Sequence, residues 1–327
     1  MSVSEEGYVY HAYGSEDYVR HVVASVVTLR RHDEERPVGL FCPASHRAVL
    51  EQYGLDTLFA VVEELPEEHQ SIVGFKHHLH QFQVFDRSLF VDADMIWCRD
   101  PDPLWRHLSV YPFTATGLER ADFYFGGPKG IGVILEYVLN RRRRTLRAFG
   151  LTYLPRVQAG MLYAQDRNLT RQVCETAADF LARRGETHFR SRLREGRSEE
   201  SCEWSLAMAM SRLALPIYPW YQGYNSPQLD FVEDMTDFDA DFERVLCHYY
   251  CDRFIYEIRG VPNAKLRRFF IGLFTRLLRR GDSLKATPFA MHFGSLHEKQ
   301  PFFDFSARTW TRLTHLSESR PVLTQVE

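Results

Sequence analysis

Apolar residues recur along this chain in two alternating rhythms. Tyr8 to Tyr13 (YVYHAY) is a short run of aromatic and β-branched residues, the make-up of a strand, and Gly14-Ser15 interrupts it. Ser15 then stands where a helix N-cap belongs. Glu16 and Asp17 fall in the first turn, and Tyr18, Val22, Val23, Val26 and Leu29 repeat at helical spacing. The rhythm reverses again with a strand over Val38 to Phe41, a helix over Ala44 to Tyr53 closed by Gly54, a strand over Leu58 to Val62 and a helix over Ile72 to Phe82. Such alternation predicts an α/β fold, a mostly parallel sheet flanked by helices.

The next strand ends abruptly. Leu89, Phe90 and Val91 form a buried run that gives way to Asp92-Ala93-Asp94 before a second apolar run begins. Two carboxylates two residues apart on extended chain point to one side, beyond the carboxyl end of a strand, where ligands collect in open parallel sheets. Carboxylates at that place are costly unless compensated, and a bound Mg²⁺ or Mn²⁺ is the natural compensation. The plain reading is a solvated turn.

Further along, Phe113 to Thr116 and Asp122 to Phe125 read as short strands, and residues 130–148 as one long helix carrying Arg141 to Arg144. Those four arginines sweep round the helix and are read as solvated surface. Val157 to Ala164 is a strand with Gly160 inside it, a mark of close backbone or ligand approach. Helices follow over Leu169 to Arg184 and Cys202 to Leu213, separated by a polar stretch over Gly185 to Glu200. Pro216 to Trp220 is aromatic strand or loop, and Val245 to Tyr250 a last core strand. In Lys265 to Arg280, apolar residues keep helical spacing opposite basic ones. That stripe fits a helix packed on the domain, with peripheral contact to an anionic membrane as the second reading.

Composition narrows the partners. The 327 residues are 45% hydrophobic and 25% charged, with a formal net charge of −3, so nothing global argues for nucleic acid. The acidic N-terminus lacks a secretion-signal pattern and no apolar run is long enough to span a bilayer. Cysteines at 42, 98, 174, 202, 247 and 251 form no disulfide framework, so a cytoplasmic protein is expected. Cys247 and Cys251 around His248 lack the second cysteine pair of a metal knuckle and read as buried strand cysteines.

Five segments in order resemble GT-A fold nucleotide-sugar glycosyltransferases, and most closely family 8 of the glycogenin and bacterial galactosyltransferase type. They are VYHAY with Glu16-Asp17-Tyr18; Lys76; LFVDADMI; Gln158-Ala159-Gly160-Met161-Leu162; and Cys202-Glu203-Trp204 with a late His292-Phe293-Gly294 and Lys299. The resemblance implies a Rossmann-like catalytic domain over residues 1–250 and a helical C-terminal extension over 251–327 that contains the returning His292 segment. It also implies a hexosyltransferase using a nucleotide-sugar, UDP-hexose by analogy, with retention of configuration.

The implied roles follow the motifs. Tyr13 and Asp17 lie where relatives hold base and ribose, and Lys76, Gly160 and Lys299 where they hold diphosphate and donor sugar. Asp92, Asp94 and His292 would carry Mn²⁺ or Mg²⁺, with His248 the competing third ligand, and Gln158 and Glu203 would act beside the anomeric carbon. Glutamine at 158 replaces the family's asparagine, and Glu203 the aspartate of its Asp-Gln helix start. The acceptor is left open among a saccharide, a lipid-linked molecule and a small molecule. Two rival readings remain: a nucleotidyltransferase or phosphotransferase built on the same Asp-x-Asp, and a noncatalytic sugar-nucleotide-binding protein.

Overall fold

The strand that leads into Asp92 is the central one of a seven-stranded sheet. In a computed structural model the strands run in the order β3 (Val61–Glu64), β2 (Val38–Cys42), β1 (Glu6–His11), β4 (Arg87–Val91), β7 (Arg156–Ala164), β6 (Phe113–Leu118) and β8 (Tyr218–Pro219). The structure describes residues 6–123, 125–127, 131–220, 222–250, 283–294 and 298–318, with positions 263, 265, 266, 269, 270 and 273. Strands β3, β2, β1 and β4 pair in parallel, and β7 alone runs against its neighbours β4 and β6. The expected mostly parallel α/β sheet is therefore present.

Period-two alternation divides the core between the two faces. Val9 and Phe90 join a cluster with Phe75, Leu162 and residues of α8 (Arg167–Ala182) and α9 (Glu203–Arg212). Their neighbours Tyr8, Tyr10, Leu89 and Val91 point the other way, to α1 (Asp17–Leu29), Trp97 and Trp105. The polar tips buried there are paired, as burial of Tyr and Trp requires. Tyr8 donates to Asp33 at 2.7 Å and accepts from Trp105 Nε1 at 2.8 Å, and Trp97 Nε1 donates to the Tyr10 hydroxyl at 2.9 Å.

Two small sheets extend the fold. In the first, β13 (Ala290–His292) lies between β5 (Met95–Trp97), antiparallel, and β9 (Gln228–Asp230), parallel. The second joins β10 (Thr236–Phe238), β11 (Val245–Tyr250) and β12 (Ser283–Ala286). Strand β11 thus forms as expected but outside the main sheet, and Cys251 lies outside the described residues. A C-terminal helix, α10 (Gln300–Glu318), packs on α1.

Several expected elements differ. The helix over 72–82 is two pieces, α3 (Ile72–Lys76) and α4 (Leu79–Phe82), because the Gly74 carbonyl that should continue it faces His78 Nδ1 at 2.7 Å and His69 Nδ1 at 2.9 Å. The helix over 130–148 breaks into α6 (Ile131–Leu139) and α7 (Arg141–Ala148) at Asn140, whose φ of 49° is left-handed, a conformation asparagine tolerates. Asp122, Phe123 and Phe125 lie in a turn, not a strand: the Asp122 carboxylate accepts the Phe125 N–H at 2.8 Å. The third strand begins at Val61, later than expected, after a 3₁₀ turn over Asp56–Leu58. Most of the 265–280 stripe lies outside the described residues, and of those described Leu266, Phe269 and Leu273 are exposed.

Candidate active site

At Val91 the chain leaves the centre of the large sheet, turns at Ala93-Asp94 and enters β5. The expectation of extended backbone through Asp92-Ala93-Asp94 is corrected here: the carboxylates converge because of a turn, not because of strand alternation. Pairing of β5 with β13 sets Met95 opposite His292, and Phe293 N donates to the Asp94 carbonyl at 3.0 Å. As a result one ligand atom from each of Asp92, Asp94 and His292 lies within 4.8 Å of the others. Among the described residues this group contains His292 and not His248, which sits in β11 opposite Lys285.

Lysines hold both aspartates. Lys76, buried at the end of α3, donates to Asp92 Oδ1 at 2.6 Å and to the Ala159 carbonyl at 2.8 Å. Lys299 donates to Asp94 Oδ2 at 2.6 Å. Burial by itself disfavours the charged form of Lys76, but the Asp92 carboxylate outweighs it and raises its pKa. For Asp94 burial also opposes ionisation, and His292 with Lys299 overrides it, holding the carboxyl well below its ordinary value.

The imidazole is gripped from both sides. His292 Nε2 is 3.5 Å from Asp94 Oδ1, while Nδ1 is 2.8 Å from Asp230 Oδ1 and 2.7 Å from Gln158 Nε2. Burial alone would lower the pKa of His292, yet the two carboxylates raise it to about 10. Gln158 Nε2 is a donor, since its Oε1 accepts from Gly160 and Gln228, so Nδ1 either donates a proton to Asp230 or, unprotonated, accepts from the amide, and cannot do both. Carboxylate support at Nδ1 is how metal-ligating histidines are commonly oriented, leaving Nε2 for the ion. Two carboxylates and one imidazole around a shared point suit a divalent cation, which would replace the Nε2 proton and the lysine contacts.

Gln158 and Gly160 belong to one local device. Between Ala115 and Thr116 the β6–β7 register jumps, from Leu162 as partner to Gln158, so Ala159 to Met161 bulge away from β6. The freed carbonyl of Gly160 accepts from Asp92 N at 3.0 Å, and its N–H donates to Gln158 Oε1 at 2.6 Å. Gln228 Nε2 also donates to Gln158 Oε1, at 2.8 Å, which fixes the amide's orientation. A Cβ at position 160 would lie 2.8 Å from Gln158 Oε1 and 2.9 Å from Gln228 Oε1, so glycine permits this packing.

Glu203 opens α9. Burial raises its pKa, against the pull of Arg156 and Lys76, and its carboxylate has no hydrogen-bond donor among the described residues. Tyr13 donates to Glu199 Oε2 at 2.8 Å, and the same oxygen accepts the Ile72 N–H at 2.8 Å, tying the loop after β1 to the start of α3. Asp17 stands apart from the cluster: it is exposed at the start of α1, accepts from Ser15 Oγ at 3.0 Å and lies 3.7 Å from Arg20.

Sequence reasoning missed Asp230, Gln228 and Glu199. Each reaches the site only through long-range pairing. Asp230 is the register partner of His292 in parallel β9 and β13, and nothing in the local sequence QLD marks it.

No protein-family model and no curated protein matches the chain. Solved structures do. The glycosyltransferase GlyE of Streptococcus pneumoniae TIGR4 superposes with a TM-score of 0.50 at 14% identity over 97% of this chain, which spans 64% of the GlyE chain. The galactosyltransferase LgtC, solved with donor and acceptor sugar analogues, gives 0.49 at 9% identity, covering 97% of this chain and 98% of that one. Mouse xyloside xylosyltransferase 1 gives 0.43 at 10% identity, covering 68% and 87%. Together with the mostly parallel sheet, the likeness to GlyE shows that this chain has the GT-A glycosyltransferase fold.

Proposed function

We propose that the protein is a metal-dependent glycosyltransferase that moves a hexose from a nucleotide-sugar, a UDP-hexose by resemblance, to an acceptor hydroxyl with retention of configuration. The observation that carries this reading is the convergence of Asp92, Asp94 and His292 at the carboxyl end of the central strand. A divalent ion held there would neutralise the charge that grows on the departing diphosphate. Its donor set, with an imidazole beside two carboxylates, favours Mn²⁺ over Mg²⁺, which prefers oxygen ligands throughout.

The chain's own groups supply the rest. Lys76 and Lys299 neutralise Asp92 and Asp94 in this structure; with those carboxylates on a cation, the two ammonium groups become available to phosphate oxygens. The Gln158 amide is held at its oxygen by Gly160 and Gln228 and faces His292 with its nitrogen, so its dipole is preset beside the imidazole rather than one that must reorganise. Glu203 is a carboxylate without a hydrogen-bond donor among the described residues and close enough to feel Lys76 and Asp230. It suits stabilisation of positive character at the anomeric carbon.

A screen of UDP-, GDP- and dTDP-hexoses for Mn²⁺-stimulated hydrolysis without acceptor tests the reading. Asp92→Ala and Asp94→Ala are each expected to lower the rate by about 10²-fold or more, the scale of losing a transition-state charge stabiliser. His292→Ala should chiefly raise the Mn²⁺ concentration needed. Full activity in either aspartate variant sinks the metal site; product NMR with the preferred donor reports retention or inversion.

A further inference from the structure

Helix α6 is amphipathic in the wrong sense for a helix on a soluble surface. Its sequence, IGVILEYVL, contains one charged residue, and that residue is turned inward: Glu136 is 5% exposed, with Oε1 3.4 Å from Arg141 Nη1. The apolar residues face out. Ile134, Leu135, Tyr137, Val138 and Leu139 are 62%, 50%, 67%, 69% and 41% exposed, and Phe123, edge-on to Tyr137 with centroids 5.2 Å apart, extends the patch. Burying a carboxylate while exposing five large apolar side chains on one short helix reverses what water selects.

A dense positive charge adjoins this face. Asn140 turns the chain directly into α7, where Arg141, Arg143, Arg144 and Arg147 are exposed. Arg142 is the exception, folded inward to donate to the Ala121 and Asp122 carbonyls at 2.8 and 3.1 Å. Arg143, Arg144 and Arg147 have no carboxylate partner among the described residues. Exposed apolar groups beside unpaired arginines match an anionic bilayer, in which acyl chains meet the former and phosphate headgroups the latter. A second copy of this chain fits poorly, since a symmetric contact would bring the two arginine clusters together.

We infer that α6 and α7 form a peripheral membrane-docking face: Ile134, Leu135, Tyr137, Val138 and Leu139 enter the headgroup–acyl boundary, and Arg143, Arg144 and Arg147 bind anionic lipid. This surface is built from a different stretch of the chain than the 265–280 stripe and does not depend on the transfer chemistry proposed above.

The test is co-sedimentation of the full chain with phosphatidylcholine vesicles and with vesicles containing equal phosphatidylcholine and phosphatidylglycerol. Binding is expected only to the anionic vesicles and should weaken in high salt. Arg143→Glu with Arg144→Glu should lower partitioning by about fivefold or more per arginine, the worth of one cation near an anionic surface. Ile134→Ser with Val138→Ser should lower it comparably, with unchanged circular dichroism because both positions are exposed. Equal binding to neutral vesicles, no binding to either, or wild-type binding by both variants would overturn the assignment; the last would move docking to 265–280. Self-association of the wild type that the Ile134/Val138 variant abolishes, with no vesicle binding, would make the face a contact between copies.

Discussion

At the scale of single residues, the site is organised by charges that neutralise one another, and Asp230 sets the geometry of the His292 imidazole. Asp230 reaches His292 Nδ1 at 2.8 Å and so is a positioning residue for Nε2. Asp230→Asn keeps the shape and removes the charge. It should weaken Mn²⁺ binding by about 10–100-fold, the usual cost of losing such outer support. Electron paramagnetic resonance of free Mn²⁺ reads this without any turnover; an unchanged affinity would show that Asp230 does not orient the ligand. Asp33 carries a prediction on stability. Its buried carboxylate accepts from Tyr8, from Arg36 Nη1 at 2.9 Å and from the Glu35 and Arg36 N–H groups. Burial opposes its ionisation, but these donors together hold the carboxyl below its ordinary value. A depressed folded pKa gives stability that is complete above the unfolded value and is lost as pH falls through the folded one. Asp33→Asn should therefore cost about 2–3 kcal/mol near neutrality and flatten the acid limb of a urea-denaturation series against pH. A variant whose acid limb matches the parent's would show that Asp33 is not a major contributor. Asp92 and Asp94 are legible as candidates in the sequence because an apolar strand ending in Asp-x-Asp is a local signal, whereas Lys76 is marked only by the family resemblance. Asp230 is not legible, since its importance comes from lying beside a strand more than fifty residues later in the chain.

At the scale of elements, the bulge in β7 does the positioning that the sequence hinted at with Gly160. By releasing Ala159 to Met161 from β6, it presents one carbonyl to Lys76 and the next to Asp92 N. Gly160→Ala adds a methyl against the Gln158 and Gln228 amide oxygens. The side chains can yield more readily than backbone, so the expected result is a modest loss of stability with a larger loss in turnover. Gly117, across the bulge, has no such freedom: a Cβ there is driven into the Arg156 carbonyl oxygen. Gly117→Ala should destabilise by about 1–3 kcal/mol, the range for overpacking, and a thermal melt unchanged from the parent would contradict that. The same scale shows where periodicity misled. Residues 72–82 and 130–148 carry continuous helical patterns, yet two imidazoles claim the Gly74 carbonyl and Asn140 adopts a left-handed turn. Pattern reports which face is apolar; it does not report a side chain competing for a backbone carbonyl.

At the scale of the whole molecule, the returning C-terminal segment completes both the core and the candidate site. Strand β13 fills the gap between β5 and β9, so without it two strand edges lose their backbone partners. Phe289, Ala290 and Trp310 are buried in the same cluster as Tyr8 and Tyr10, and Phe302 and Phe305 with Phe242 and Phe293 on the neighbouring sheet. His292 and Lys299 come from this segment as well. A fragment ending at residue 250 is thus expected to lose cooperative folding rather than merely activity, because it removes several large buried side chains and unpairs backbone in two sheets. Urea denaturation of the full chain should show one transition by tryptophan fluorescence and by circular dichroism, with the fragment showing none or a shallow one. Were the fragment to unfold cooperatively at the full chain's midpoint, the returning segment would be an appendage, and His292 would have to be brought to Asp94 by docking rather than by folding.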